Sequence, residues 1–118
     1  MRCLIVDDSA PFLRVAESRL SREGIDVVAV ATTFAEALRE AERLRPDVAL
    51  VDVSLGEQNG FDLSRELADR FGIGLQIVLI STRAEEDLAE LIAASPVVGF
   101  IPKSSLSPSA LLELVTET

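Results

Sequence analysis

The sequence predicts an α/β domain over residues 1–118: a doubly wound sheet of five parallel strands in the order 2-1-3-4-5, with helices on both faces. Three observations predict it. Apolar runs of strand length alternate regularly with helix-length segments, and such alternation means βα units and a parallel sheet. The runs are apolar at nearly every position, as strands covered on both faces are. Right-handed crossovers then leave few topologies, and this order is a common one for an open sheet of this kind.

Arg2 to Val6 is the first strand and ends in Asp7-Asp8. Ser9, Ala10 and Pro11 start a helix, because a capping hydroxyl and a Pro in the first turn are start signals. Phe12, Ala16 and Leu20 recur every four residues with Leu13 and Val15 beside them, one buried stripe that Gly24 closes. Asp26 to Val30 is the second strand. Thr32 or Thr33 caps the second helix, with Phe34, Leu38, Ala41 and Leu44 on its inner face. The third strand opens after the turn-forming Pro46, runs through Val48, Ala49, Leu50 and Val51, and stops at Asp52. The loop beyond it ends at Asn59-Gly60, a turn signal. Leu63, Leu67 and Phe71 mark the third helix, which Gly72 and Gly74 break. Gln76 to Ile80 is the fourth strand, ending in Ser81-Thr82. Ala84 to Ala94 is the fourth helix, with Leu88, Leu91 and Ile92 facing in, and Glu85, Glu86 and Asp87 in the first turn, where the helix dipole favours acids. Pro96 stops it. Val97 to Ile101 is the fifth strand, followed by Pro102-Lys103, and Ser107 or Ser109 caps a short last helix with Leu111, Leu112 and Val115 inward.

Composition removes several classes of function. A net charge of −9 repels phosphate backbones, and the five Phe are dispersed with no Trp or Tyr to make a stacking platform, so direct nucleic-acid binding is not expected. With no His and one Cys, zinc, haem and His-assisted nucleophiles lack their groups. Cys3, alone in an apolar strand, reads as a small buried hydrophobe and can form no internal disulfide. The run Cys3 to Val6 is too short for a signal peptide or a membrane span, so a cytoplasmic location is expected.

What remains is the set of residues at the strand tips, where open parallel sheets bind ligands. The first strand brings Asp7 and Asp8, the third Asp52, the fourth Ser81 and the fifth Lys103, the only Lys among eleven basic residues. Each has a plain alternative. The acidic pair suits a helix cap, Asp52 a loop cap, Ser81 a cap on the fourth helix, and Lys103 solvent. The set argues for chemistry. In the order 2-1-3-4-5 these tips share one rim, and three carboxylates there repel one another and call for a hard divalent cation, with Mg²⁺ fitting a site of few carboxylates, water and a phosphoryl group. Asp52 is then the nucleophile that becomes an aspartyl phosphate, with Lys103 and Ser81 stabilising the phosphoryl oxygens.

The stretches CLIVDDS, DVSLGEQNGFDL, VLIST and GFIPKS resemble the response-regulator receiver domains of two-component signalling, the CheY-like variant of the flavodoxin-like fold, over essentially the whole chain. Gly60, eight residues after Asp52, matches the family spacing. The resemblance implies a phosphoacceptor switch rather than an enzyme of metabolism: it catalyses only its own phosphorylation and dephosphorylation. Asp52 would take the phosphoryl group from a sensor histidine kinase or phosphotransfer protein. Asp8 and Asp52 would hold Mg²⁺ by side chain, Ser54 by its backbone carbonyl, and Asp7 largely through water. Ser81 would turn toward the phosphoryl group, Lys103 would pair with it, and Phe100 would move inward as the switch aromatic. The output would be a changed surface on the fourth helix, fifth strand and fifth helix, read by a downstream protein target, with a phosphorylation-dependent homodimer as a further option. Gly56, Thr82 and Ser104 depart from the family's common Pro, Ala or Gly, and Pro at those places, and Phe100 lacks a phenol; none removes a reacting group.

A single-domain receiver is expected because the sequence starts at Met1 and contains no linker; the alternative is the front piece of a longer DNA-binding regulator. A phosphatase of the haloacid-dehalogenase type is a remote alternative. That family has a second Asp two residues after the nucleophile, where this chain has Ser54. A constitutive binding module with an idle acidic pocket is the third. Lys103→Ala is expected from sequence to leave the fold and Mg²⁺ affinity nearly intact.

Overall fold

The structure, a computed structural model, describes residues 1–115. The last three residues of the expected domain lie outside the described residues. Five parallel strands, β1 (Arg2–Val6), β2 (Asp26–Ala31), β3 (Val48–Asp52), β4 (Gln76–Ser81) and β5 (Gly99–Pro102), form one sheet in the order β2-β1-β3-β4-β5. Helices α1 (Ala10–Arg22), α2 (Phe34–Leu44), α3 (Gly60–Phe71), α4 (Glu85–Ala93) and α5 (Pro108–Leu114) connect and flank them. The strand order is the expected one.

Side chains of a strand point alternately to its two faces, and here both faces are apolar. Leu4, Val6, Ala49, Val51, Ile77 and Leu79 pack with residues of α2, α3 and α4. Cys3, Ile5, Val48, Leu50, Val78 and Ile80 pack with residues of α1 and α5. Every residue of β3 is buried, which makes it the central strand and fixes where Asp52 emerges.

Local signals settle the helix starts. Ser9 Oγ accepts from Phe12 N, Thr33 rather than Thr32 accepts from Glu36 N, and Ser107 rather than Ser109 accepts from Ala110 N. Asn59 does not mark a turn but caps α3, its side chain accepting from Asp62 N. The turn sits earlier, at Gly56 (φ 63°), inside a two-stranded ribbon of Ser54–Leu55 against Gln58–Asn59. No side chain caps α4, whose N-cap is Ala84.

Three residues expected to face inward do not. Val15 is 67%, Leu91 51% and Leu112 45% exposed. These helices bury a narrow stripe against a flat sheet: Leu13, Ala16 and Leu20 on α1, Leu88 with Ile92 on α4, Leu111 with Leu114 on α5. Val15, Leu91 and Leu112 sit to one side of that stripe. The fifth strand also begins later than Val97. Val97 N bonds back to Ser95 O in a turn, Val98 N reaches Ile77 O, and paired register starts at Val78–Gly99. Pro102 ends this edge strand, where a missing N–H costs nothing.

Candidate functional site

Asp7 follows β1 directly, and its N–H continues the pairing with β2 by donating to Ala31 O (3.0 Å). Its carboxylate is fully buried. One oxygen, Oδ1, accepts from Ser9 N (2.8 Å) and so helps turn the chain into α1. Asp52 is the last residue of β3, 5% exposed, and its Oδ1 accepts from Ser54 N (3.3 Å). Asp8 is exposed, and its Oδ2 accepts from Gly56 N (3.2 Å), tying the first loop to the ribbon after β3. The carboxylates of Asp7, Asp8 and Asp52 bring one oxygen each within 4.8 Å of one another.

Lys103 closes the cluster. Its Nζ lies 2.6 Å from Asp7 Oδ2 and 3.2 Å from Asp52 Oδ2. The contact to Asp52 is also a hydrogen bond, whereas the one to Asp7 is a close ion pair without hydrogen-bond geometry, which leaves Asp7 Oδ2 buried and without a hydrogen-bond partner. Three carboxylates and one ammonium leave two negative charges at the rim. A divalent cation balances that charge, and carboxylate oxygens are hard ligands for it. Two ligands on opposite sides of Mg²⁺ stand about 4.2 Å apart, a little less than the 4.8 Å that spans these oxygens, so the carboxylates would draw slightly together on a shared ion or one would reach it through water. The residues present therefore fit Mg²⁺.

Burial and the neighbouring Asp7 raise the pKa of Asp52, against the lowering pull of Lys103 and the Ser54 N–H. Burial would lower the pKa of Lys103, but Asp7 and Asp52 outweigh it and raise it. The Asp52 shift has a consequence for stability. The folded metal-free protein holds the Asp52 proton to higher pH than the unfolded chain, whose ordinary carboxyl lets it go near 3.8. Between those values the folded state binds more protons, so the Asp52 contribution to stability falls as pH rises and is lost above the folded pKa. Urea unfolding in EDTA at stepped pH is expected to show this fall in the parent relative to Asp52→Asn, whose amide does not titrate. Parallel curves for the two proteins would contradict it.

Ser81 ends β4 one residue beyond Ile80, the cross-strand partner of Asp52, and is buried. Its Oγ accepts from Arg83 N (2.9 Å) and does not cap α4. Ser54 lies on the ribbon just after Asp52 with its side chain exposed. Phe100, on β5 opposite Leu79, is already inward at 8% exposed, in the cluster that contains Val53, Leu55 and Leu88. The structure thus brings Asp7, Asp8, Asp52 and Lys103 into contact range and sets Ser81 on the same rim.

Two further residues shape the site. A Cβ on Gly60 would stand 2.1 Å from the Asp52 carbonyl oxygen, and Gly60 N donates to Val53 O (2.8 Å), so the start of α3 is clamped against the end of β3. Backbone cannot yield as a flexible side chain can. Gly60→Ala is expected to cost on the order of 3 kcal/mol or more, read as a lower urea midpoint at unchanged slope. A loss below about 1 kcal/mol would show that this junction gives way. The spacing of Gly60 from Asp52 was visible in the sequence, but its steric reason was not. The second residue is Phe12, whose ring lies 4.6 Å from Lys103 Nζ; nothing in the helical stripe of α1 marked it out. Among the described residues, no helix is long and apolar enough to cross a membrane.

Comparison with known proteins adds the context. A family model described as the response regulator receiver domain matches residues 3–116. A protein-glutamate methylesterase/protein-glutamine glutaminase of Treponema denticola is 35% identical over an alignment of 125 positions, covering 100% of this chain but 32% of that protein. This chain spans about a third or less of the methylesterase relatives first matched. The chemotaxis protein CheY of Thermotoga maritima is 26% identical, covering 98% of this chain and 95% of that one. A response regulator protein from Burkholderia pseudomallei, solved with a phosphorylated aspartic acid, calcium ion and citrate, superposes with a TM-score of 0.85 at 25% identity. That match covers 98% of this chain and 66% of the other.

Proposed function

The chain belongs to the response regulator receiver domain family, and from that membership we propose that it is a phosphoacceptor switch in two-component signalling, with Asp52 as the acceptor. The observation that carries the reading is the convergence of Asp7, Asp8 and Asp52 within 4.8 Å, two of them paired with one ammonium, with two negative charges left over. The donor is a phosphohistidine on a sensor histidine kinase or phosphotransfer protein. An Asp52 carboxylate oxygen attacks phosphorus in line; the new P–O bond forms as the P–N bond breaks, its electron pair going to the donor imidazole. Bound by Asp7, Asp8 and Asp52, with the Ser54 carbonyl as a backbone ligand, Mg²⁺ would neutralise charge on the phosphoryl oxygens.

The remaining steps belong to the chain's own groups. Lys103 gives up its contacts to Asp7 and Asp52 and pairs with a phosphoryl oxygen, where a fixed charge lowers the barrier. Ser81 leaves the Arg83 N–H and donates to a second oxygen. Phe100, already inward, stays packed as Ser81 turns, and the α4, β5 and α5 surface passes the change to a downstream protein target or a second copy. The protein turns over no metabolite on this reading and catalyses only its own phosphorylation and dephosphorylation.

Incubation with acetyl phosphate and with a phosphohistidine donor tests the reading. Acid-stable, base-labile phosphate is expected in Mg²⁺ and none in EDTA. Steady phosphate release from many small phosphoesters would point instead to a phosphatase of the haloacid-dehalogenase type. No uptake from either donor would leave a constitutive binding module.

A further inference from the structure

We infer that Phe12 is a positioning residue for phosphoryl transfer, its ring holding the Lys103 ammonium at the rim where the phosphoryl group arrives; the inference rests on the proposed role of the site. Four contacts form a closed circuit. Asp7 Oδ1 accepts from Ser9 N (2.8 Å), Ser9 Oγ accepts from Phe12 N (3.4 Å), the Phe12 ring centroid lies 4.6 Å from Lys103 Nζ, and Lys103 Nζ returns to Asp7 Oδ2 at 2.6 Å. The cap that starts α1 therefore also sets the height of the Phe12 ring over the acidic cluster.

A lysine stem is flexible, and its ammonium is a mobile point charge unless something fixes it. Two carboxylates fix it in the metal-free protein, but those are the groups a divalent cation would claim. The Phe12 ring is the one partner in this circuit that the cation does not take. Lys103 lines a cleft together with Phe12, Val15, Ala16, Arg19, Leu20 and Leu106, and its side chain is 14% exposed, so little water competes with the ring for the ammonium. Phe12 is only half-buried, packed at the margin of the α1 and α5 core, so changes to its ring can be made without emptying that core.

The test keeps the size of the side chain and removes its quadrupole. Phe12 is replaced by a series of increasingly fluorinated phenylalanines and by cyclohexylalanine, with Phe12→Leu as the encoded variant. Acetyl phosphate serves as donor because it makes no docking contact that Phe12 could also support. The rate of phosphoryl uptake is expected to fall with each step and by about tenfold at pentafluorophenylalanine, with Mg²⁺ affinity and melting temperature unchanged. In the unmodified protein the Lys103 ε-methylene proton resonances should lie upfield of their free-lysine position, and return toward it in cyclohexylalanine. A series with rates within about twofold of an active parent overturns the positioning role and leaves the phosphoacceptor reading standing. Rates that fall together with Mg²⁺ affinity or melting temperature overturn it in favour of a plain packing role. Unshifted Lys103 resonances overturn it independently of any rate. A parent that takes up no phosphate at all overturns the phosphoacceptor reading, and the positioning role with it.

Discussion

Asp52→Asn is expected to abolish phosphoryl uptake from both acetyl phosphate and a phosphohistidine donor, with a loss of at least about a thousandfold in rate. An amide oxygen is a poor nucleophile, so the loss is chemical. The fold should survive. Asp52 is buried beside Asp7, and both burial and that charge already favour its neutral form. An amide keeps the shape, keeps an oxygen for the Ser54 N–H, and removes one charge from a crowded rim. The variant should therefore melt above the parent when no metal is present, since about 1 kcal/mol moves the midpoint of a domain this size by several degrees. Mg²⁺ should stabilise it less than it stabilises the parent, because one ligand charge is gone. Base-labile phosphate persisting on Asp52→Asn would move the acceptor elsewhere.

Lys103→Ala is the second large effect, and here the structure changes what the sequence leads one to expect. Read from the sequence as a clamp on the phosphoryl group, Lys103 could be removed with little cost to folding or metal affinity. Its Nζ instead sits between Asp7 and Asp52, with its side chain 14% exposed. Without it, two buried carboxylates face each other uncompensated, and breaking such a cluster by removing one partner is expensive. The metal-free variant is expected to lose on the order of 2 kcal/mol, less than a fully buried pair because solvent reaches the rim. Mg²⁺ should restore most of that stability and bind more tightly than in the parent, since a repelling positive charge has gone. Phosphoryl uptake should nonetheless fall about a hundredfold or more, the usual cost of deleting one fixed charge or donor from a transition state. Urea titrations in EDTA and in Mg²⁺, set beside uptake rates, separate the two effects. Unchanged stability in EDTA would mean that Lys103 does not compensate the carboxylates, and unchanged uptake would remove it from the reaction.

The main lines of the fold were readable because each rests on a local signal repeated along the chain. Val48 to Val51 is apolar at every position, and only a strand covered on both faces buries every residue. The caps at Ser9, Thr33 and Ser107 were readable to within a residue or two for the same reason. Inward and outward were harder to separate on α4 and α5. Leu91 beside Leu88 and Ile92, and Leu112 beside Leu111, look alike in periodicity, and the decision lies in how wide a stripe a short helix can press onto a sheet. The ribbon at Ser54–Leu55 and Gln58–Asn59 was missed because two-residue strands carry no period.

The site divides in the same way. Asp7, Asp8, Asp52 and Lys103 could be placed together because strand order alone brings their tips to one rim. The acidic group observed within 4.8 Å follows from that order. What sequence could not supply is distance between side chains: the ammonium already seated on two carboxylates, the Phe12 ring behind it, and Asp52 O pressed against Gly60. These depend on how α1 and α3 dock on the sheet, which no run of residues encodes by itself.

The most direct test is to locate the phosphoryl group. Reduction of the Mg²⁺-dependent acyl phosphate with borohydride converts a phosphorylated aspartate to homoserine, which peptide mapping can assign. Homoserine at position 52 and at no other acidic residue is the predicted result. Homoserine at Asp7, Asp8 or any other position, with Asp52 intact, would contradict the account.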